Sequence, residues 1–595
     1  MSGSLRVAAL IKQVPRFETM TLGDDGRLQR DGLELEMNPY CRRAVGKGTE
    51  LVAARGGSLT VISLGPPAAG NSVREGVAWA LAHGVDARGV LVSDPAFAGS
   101  DTLATARALE AALGRLGRFD LVLCGRNSVD ADTGQVGPEL AELVGLPFAG
   151  PVRQLDVSSD GMSADVECEL DDGSMDATLA LPAVLSCAER LCDPCKVPPE
   201  GRAAVPDDRM TVLTAPECGP GPWGQGCSPT SVGEVRTIDV QRLHRMLEGS
   251  VGEQVARCAA LLAERGALDA ASPDSPGSVP VPTARLGGLV GVLVEPRRER
   301  LTRELLGAAA TLATGIDGRV VAVGPDVDAA PLGPQGADDV LSIVGSDAEE
   351  DVAAAVSGWA MERSPWGVLA PSTVWGREVA SRVAARLGAG LTGDAVELEL
   401  DEGRLLAWKP AFGGAMVAAI RASSPTQMVT VRAGMLPVLD ERDVVATLTK
   451  LEAESRGRVV VHRRRRDDDV DALANAEVVI GVGQGVDPTE YHLLETLRAA
   501  LGAELGATRK VTDKGWMPRA RQIGITGRSI RSRLFISVGS SGKFNHTVGV
   551  RACGTVVAIN PDPDAPVFDA ADIGIVADWH DVVPSLAEAL SSPRR

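Results

Sequence analysis

The feature that most restricts how this chain can fold is a long stretch that occurs twice. From Gly288 the sequence Gly-Leu-Val-Gly-Val-Leu-Val-Glu-Pro echoes the apolar run of residues 5–14, and Arg319–Pro325 echoes Thr60–Pro66. Gly336–Leu341 then echoes Gly84–Leu91, and Trp366–Ala370, with Gly376-Arg377-Glu378 and a helix to Gly388-Ala389-Gly390, echoes Leu121–Gly145. Self-similarity of this length means one supersecondary plan used twice. Each copy alternates short apolar runs with amphipathic stretches, as a doubly wound parallel sheet requires.

In the first copy the run 5–14 reads as a buried strand opening a domain. Asn38-Pro39 reads as a helix start with Asn38 as cap. Leu59–Leu64 and Gly89–Val92 read as strands, and Ser72–His83 and Thr102–Leu116 as helices. The strand Leu121–Cys124 runs into a loop, Gly125 to Pro138, rich in glycine, aspartate and hydroxyl groups, and then a helix through Val144. Such a strand-to-helix loop can cradle phosphate on backbone N–H groups, or it can be a capped turn. The second copy has Pro371-Ser372-Thr373-Val374-Trp375-Gly376 at the same place, so a nucleotide site in the first copy is expected to be absent from the second.

A third region follows. Gly506-Ala507-Thr508-Arg509, Gln522-Ile523-Gly524-Ile525-Thr526-Gly527, Gly539-Ser540-Ser541-Gly542, His546, Asn560 and Asp578 mostly follow apolar runs, namely 534–538, 555–559 and 573–576. That order puts them at the carboxyl ends of parallel strands, where open α/β sheets bind ligands. Gly539 and Gly542 let backbone donors approach a pyrophosphate, and Ser541 adds a hydroxyl. Thr526 can donate to a flavin ring nitrogen, and Arg509 and His546 can place positive charge beside the ring. Asn560 and Asp578 suit ribose and adenine edges, although Asp578 alone reads equally as a helix cap.

The length of 595 residues implies two to four domains. The net charge of −19 argues against nucleic-acid and anionic-membrane partners. No apolar run approaches the ~18 residues of a membrane span, and the amino terminus lacks a signal-peptide pattern, so a cytoplasmic protein that is not membrane-embedded is expected. The ten cysteines are scattered. Cys192 and Cys195 form the one close pair, which without nearby histidines is a weak case for metal. Residues 272–282 read as a linker, and Arg463–Arg466 followed by Asp467–Asp469 as a solvated junction rather than a nucleic-acid tract.

The last region resembles the carboxyl-terminal flavin domain of the alpha subunit of electron-transfer flavoproteins. Arg509, Asp513–Trp516, Gln522–Gly527, Ser541-Gly542, His546, Ala558-Ile559-Asn560 and Asp564–Phe568 carry the likeness. Residues 288 to about 455 resemble the first domain of that subunit, through Gly376-Arg377, Lys409–Gly414 and Thr430–Gly434. Residues 5 to about 240 look like the beta subunit, through Asn38–Cys41, Ser63–Pro66, the Gly125–Pro138 loop and Leu181–Val184.

The resemblance implies an α/β chain with two related doubly wound parallel-sheet domains and a C-terminal Rossmann-like FAD-binding domain. It implies a beta-like domain 1–245, a helix and linker 246–285, an alpha-like domain 286–460, a charged linker 461–474 and the FAD domain 475–595. For FAD it implies Arg509, Gln522, Gly524, Thr526, Gly527, Ser540, Ser541, Gly542, Asn545, His546, Asn560 and Asp578, with Phe17 as an aromatic from the beta side. For AMP, or a second FAD, it implies Asn38, Tyr40, Cys41, Gly125, Asp130, Asp132, Thr133, Gly134, Gln135 and Val136.

The function implied is an electron carrier rather than a substrate-transforming enzyme. It would take electrons from a flavin- or nicotinamide-linked dehydrogenase and pass them to a membrane-bound quinone reductase or another acceptor, as a pseudo-heterodimer within one chain. Two alternatives stay open: a bifurcating protein oxidising NADH with a second FAD, and a redox-inactive nucleotide-binding regulator, suggested by Ile525 and Asn545 where the family has other residues. Dehydrogenase docking in the family maps near Ala188–Lys196, where Cys192 and Cys195 replace the usual residues.

Overall fold

The computed structural model describes residues 4–16, 34–237, 241–269, 277–281, 287–411, 416–466, 470–524 and 527–591. The chain forms two compact units. One comprises residues 1–236, 277–412 and 417–465, and the other residues 237–276, 413–416 and 466–595.

The first unit holds both copies of the repeat. The first copy's sheet runs Met210–Leu213, Ala87–Val92, Gly57–Leu64, Leu5–Ile11, Leu121–Gly125, Ala183–Cys187, Phe148–Val157, all parallel. The second copy's sheet, Thr447–Glu452, Asp339–Val344, Arg319–Pro325, Leu289–Leu293, Gly367–Pro371, Gln427–Val431, Gly390–Ala395, has the same order and is also parallel. The central strands are near-continuous apolar runs because helices cover both faces: Leu5, Val7, Ala8 and Ala9 are all buried.

Each copy extends into an antiparallel hairpin, Ser163–Glu169 with Gly173–Ala180 in the first and Arg404–Ala411 with Met416–Ala422 in the second. The chain then exchanges strands. Thr230–Thr237, which follows the first copy, joins the second copy's hairpin, and Val459–Arg466, which follows the second copy, joins the first copy's hairpin. Arg463–Arg466 are exposed, but they belong to a paired strand, which corrects the reading of this run as a linker. A run of like charges is tolerable in a strand whose carboxylate partners come from packed neighbours: Arg464 pairs with Glu349 at 2.9 Å, and Arg465 donates to Ser174 at 3.0 Å. Asp467–Asp469 lie outside the described residues.

The second unit is a six-stranded parallel sheet in the order Arg245–Leu247, Ile573–Val576, Thr555–Asn560, Leu534–Val538, Val478–Val482, Glu504–Ala507. The stretch expected as helix and linker from residue 246 contributes a strand as well as that helix, and both pack into this unit. Arg245–Leu247 is the edge strand of this sheet, and the helix Val251–Glu264, started by a Ser250/Glu253 capping box, buries Val255, Cys258, Leu261 and Leu262 in the same core as Trp579, Val582 and Leu586. The apolar stripe of 251–264 was legible as a helix. Its partner lies three hundred residues away, and no local pattern shows it.

The expected cap at Asn38 is also corrected. The helix runs Cys41–Arg55 with Tyr40 as the residue before it and no side-chain cap. Asn38 instead donates from Nδ2 to the Asn127 carbonyl at 2.9 Å and accepts from the Val129 N–H at 3.2 Å. Its amide therefore ties the start of that helix to the 125–136 loop.

Candidate functional site

In the second unit the chain passes from Val478–Val482 outward to Glu504–Ala507, then returns to Leu534–Val538 on the other side of the first strand. The loops leaving Val482 and Val538 thus diverge, and this topological switch point is where open parallel sheets hold ligands. Gly483, Gly485, Gly539 and Gly542 meet there. A Cβ on Gly483 would lie 2.2 Å from the Gly539 carbonyl oxygen and 2.4 Å from Ser540 Cα. Gly542 has φ +70°, and a Cβ there would lie 2.1 Å from Val567 Cα. The two loops are locked by Gly485 N–H to the Gly539 carbonyl at 3.0 Å and Gly483 N–H to the Val538 carbonyl at 2.9 Å. The result is a tightly packed pair of glycine loops at the strand ends, with the backbone of Gly483, Gly485 and Gly539 bonded within the protein and Ser541 exposed beside them. Gly483 and Gly485 were missed in the sequence reading, although Gly-Val-Gly-Gln-Gly straight after an apolar run is the signal that would have found them.

The structure sorts the expected residues. Arg509, Ser540, Ser541, Gly542, Asn560 and Asp578 all lie at or just beyond strand ends on this edge. Arg509 begins a short helix after Glu504–Ala507 and is held by Asp513 at 3.1 Å. Ser541 is exposed, while Ser540 is buried and pairs with Ser537 at 2.7 Å. Asn560 Nδ2 donates to the Ser540 carbonyl at 2.8 Å, so it braces the glycine loop from below. Asp578 precedes the helix Trp579–Ser591 and accepts from the His580 N–H at 3.0 Å, the cap that its sequence context allowed.

Gln522 is 0% exposed, and its Oε1 accepts from Thr512 Oγ1 at 2.7 Å, so this oxygen holds the turn rather than facing solvent. Gly524 has φ +130°, and a Cβ on Gly527 would meet the Gln522 carbonyl at 2.3 Å, so both positions suit only glycine. Asn545 lies within the helical turn Phe544–Thr547. Phe17, Thr526 and the side chain of Asn545 lie outside the described residues.

His546 departs from expectation. Its ring is buried, Nδ1 lies 3.1 Å from the Ile523 carbonyl, and Nε2 is buried with no hydrogen-bond partner among the described residues. The carbonyl fixes the proton on Nδ1, and burial pushes the pKa below its ordinary value, outweighing that hydrogen bond. In the protein alone His546 is thus neutral and offers a bare acceptor, where positive charge was expected. A histidine with a depressed folded pKa contributes its stability in full above the unfolded value of 6.5, and that contribution is lost as pH falls from there through the folded value. Melting temperatures of flavin-free protein should accordingly drop between about pH 7.5 and 5.5, with a shallower drop in His546→Gln; equal slopes would refute the assignment.

In the first unit the Gly125–Val136 loop is closely built. Lys12 Nζ lies 2.7 Å from Asp130. Burial opposes ionisation of Asp130, but the Lys12 charge and hydrogen bond outweigh it and hold the carboxyl below its usual range. Gly125 packs against the helix start, where a Cβ would be 2.9 Å from Cys41 N. Tyr40 and Cys41 are buried, and burial pushes the Cys41 thiol up. Asp132 bonds Asn127 and pairs with Arg432 of the second copy at 3.3 Å, and Gly134 sits against Arg377. Thr133 and Gln135 flank Gly393 of the second copy. Val136 opens the helix Val136–Leu143, and Glu139 in its first turn is pushed up to about 8 by burial and by Asp101.

The corresponding helix start in the second copy is filled. Asp171, in the turn of the first copy's hairpin, accepts from the Val374 N–H at 2.8 Å, and Thr373 caps the same helix by accepting from the Gly376 N–H at 3.0 Å. A resident carboxylate takes the place a phosphate would occupy, and Glu295, bonded to Thr373 at 2.5 Å, adds a further carboxyl group.

Around Ala188–Lys196, Ala188, Leu191 and Cys195 are buried, and Arg42 donates to the Cys195 carbonyl at 2.8 Å. Cys192 and Cys195 are free thiols with pKa values pushed up to about 12 by burial. No group of histidine, cysteine and carboxylate residues able to hold a metal occurs among the described residues. Among them, too, no helix is long and apolar enough to cross a membrane.

A parallel sheet with a glycine-rich edge at its switch point, in one chain with two copies of a doubly wound domain, defines the dinucleotide-binding class of α/β proteins. The electron transfer flavoprotein domain matches residues 25–211 and 290–464, more than half the chain, and the electron transfer flavoprotein FAD-binding domain matches residues 472–551. The chain belongs to the electron transfer flavoprotein family. It is 35% identical over 322 residues to the electron transfer flavoprotein subunit alpha of Thermoanaerobacterium thermosaccharolyticum, covering 51% of this chain and 97% of that one. It is 34% identical over 325 residues to protein FixB of Azorhizobium caulinodans, covering 50% and 88%. With the alpha subunit of Mycobacterium tuberculosis the identity is 34% over 241 residues, covering 40% and 75%. The two matches to one domain model agree with the repeat, and its C-terminal region carries the family's FAD-binding domain.

Proposed function

We propose that the chain is a natural fusion of a beta-type half and an alpha-type half, which holds one FAD in its C-terminal domain and AMP in the first copy's 125–136 loop. It receives electrons from a flavin- or nicotinamide-linked dehydrogenase and hands them to a quinone reductase or another redox acceptor, in the cytoplasm. The crevice at the switch point carries this reading. Its glycines let the loops leaving neighbouring strands close on one another at the sheet edge, the exposed Ser541 offers a hydroxyl there, and the unpartnered Nε2 of His546 is a buried polar atom in want of a donor. A bound FAD supplies reversible two-electron chemistry; the protein's residues bind, orient and shield it. Arg509, on the same sheet edge, supplies a cation that favours the reduced, anionic state.

Nucleotide analysis of the denatured protein tests the proposal: one FAD and one AMP per chain, with absorbance that bleaches under dithionite, are expected. Two FAD per chain with NADH oxidation would replace it with bifurcation, and colourless protein that added flavin cannot restore would overturn it. Arg509→Ala should make the flavin potential more negative, on the order of 30 mV, the equivalent of about 1.4 kcal/mol for two electrons. An unchanged potential in a redox titration would remove Arg509 from the site.

A further inference from the structure

The seam between the two copies carries a buried amine that nothing described so far employs. Lys409 lies near the end of the hairpin strand Arg404–Ala411 in the second copy, and its Nζ is buried with no hydrogen-bond partner among the described residues. Its charged neighbours are Asp394, Asp132, Arg432 and Arg377. Those carboxylates are already engaged. Asp394 accepts from Arg377 at 2.7 Å, from Arg432 at 3.2 Å and from Ser372. Asp132 accepts from Arg432 at 3.3 Å and from Asn127. A buried ammonium carries three donors, and leaving them unmet is costly.

A second donor is in the same condition on the first copy's side. Gln135 is 1% exposed, its Oε1 accepts from Thr102 at 3.0 Å, and its Nε2 has no partner among the described residues. Gln135 directly precedes the helix Val136–Leu143, whose free N–H groups favour an anion. One short loop segment thus carries both Asp132, a charged neighbour of Lys409, and Gln135, whose amide N–H lacks an acceptor beside Gly393 of the second copy. The comparison between copies gives the physical sense. Where the first copy's hairpin crosses to the second copy, it brings a carboxylate, Asp171, to the helix start. Where the second copy's hairpin crosses back, it brings an amine.

We propose that Lys409 reaches across the seam to the anion held by the 125–136 loop, and that the phosphate of the bound nucleotide is the acceptor that Lys409 and Gln135 both lack. The site is thereby shared by the two copies, and an occupied site ties them together. Burial lowers the Lys409 pKa in the ligand-free protein, and a phosphate beside it would restore the charged form.

This inference rests on the nucleotide reading of the loop, and the test separates the two. FAD-loaded full-length protein, stripped of nucleotide, is titrated calorimetrically with AMP, adenosine and inorganic phosphate, alongside Lys409→Ala and Lys409→Arg. The alanine variant should bind AMP on the order of tenfold to a hundredfold more weakly, as for loss of a charge-assisted hydrogen bond. Adenosine affinity should not change, and the arginine variant should stay within about threefold of the parent for AMP. Equal AMP affinity in parent and alanine variant, or equal losses for AMP and adenosine, overturns the role of Lys409 and leaves the nucleotide site standing. A parent that binds neither AMP nor phosphate overturns the nucleotide reading and this inference with it. Should Lys409→Ala not fold, as judged by melting and the flavin spectrum, Lys409→Met, neutral, without a donor and of similar length, takes its place with the same outcomes.

Discussion

Gly483→Ala protein should purify without FAD and melt well below the parent. The added methyl would sit 2.2 Å from the Gly539 carbonyl oxygen and 2.4 Å from Ser540 Cα, both backbone atoms that no rotamer change can move aside. The two loops at the switch point must therefore separate, which breaks the bonds from Gly485 to Gly539 and from Gly483 to Val538 that lock them. We expect a stability loss of about 2–4 kcal/mol, in the range of overpacked and strained backbone sites. FAD retention should fall more steeply than stability, because the loops that separate are the ones that shape the sheet edge proposed to hold the dinucleotide. Gly502→Ala serves as the control: it also alters a glycine of this unit, with φ +58°, but open space surrounds it, so it should cost about 1 kcal/mol and leave FAD bound. A Gly483→Ala protein with full flavin content would place the dinucleotide elsewhere.

The second large effect is expected at Arg242, far from that crevice. Its guanidinium donates to Asp572 at 2.9 Å and to the carbonyls of Cys553 at 3.0 Å and Arg551 at 2.8 Å. Asp572 is 1% exposed and also accepts from Val556 N–H at 2.8 Å and Leu243 N–H at 3.1 Å. Removing one partner of such a pair leaves a buried charge short of its counter-ion, which costs about 3–5 kcal/mol. Arg265 lies 3.4 Å from the same carboxylate and offsets part of that loss, so the lower end of the range is expected for Arg242→Ala. Chemical denaturation followed by Trp579 fluorescence would report it. The same contacts mean that residues 475–595 expressed alone should not give a cooperatively folded flavin domain, whereas supplying residues 241–269 in trans should restore it. An independently stable 475–595 fragment would contradict this.

The pattern of apolar runs was enough to place most strands of both copies and of the flavin domain, because a parallel strand covered on both faces is written as a short, unbroken apolar stretch. Glycine and hydroxyl residues after those runs located the edge where Arg509, Ser541, Gly542, Asn560 and Asp578 gather. What no local pattern carried was pairing over long separations. The Arg245–Leu247 and Val459–Arg466 strands were not legible as strands, and the Val251–Glu264 helix was legible without its role, because their partners come from other parts of the chain. Polar residues were assigned to ligand for the same reason. The Gln522 Oε1 turns to Thr512, Asn560 braces Ser540 from below, and Asn38 crosses to Asn127 rather than capping its own helix; each choice depends on a neighbour supplied by the fold.

The sequence by itself determined the repeated α/β plan, the parallel sheets and the family, since hydrophobic period and glycine placement are local quantities. Only the tertiary structure decided that burial favours the neutral form of His546, that Asp171 fills the second copy's helix start while Lys409 is buried at the seam without a partner, and that the segment after the first copy completes the flavin domain. Burial and charge pairing depend on which distant residues are brought together, and only the folded chain brings them together.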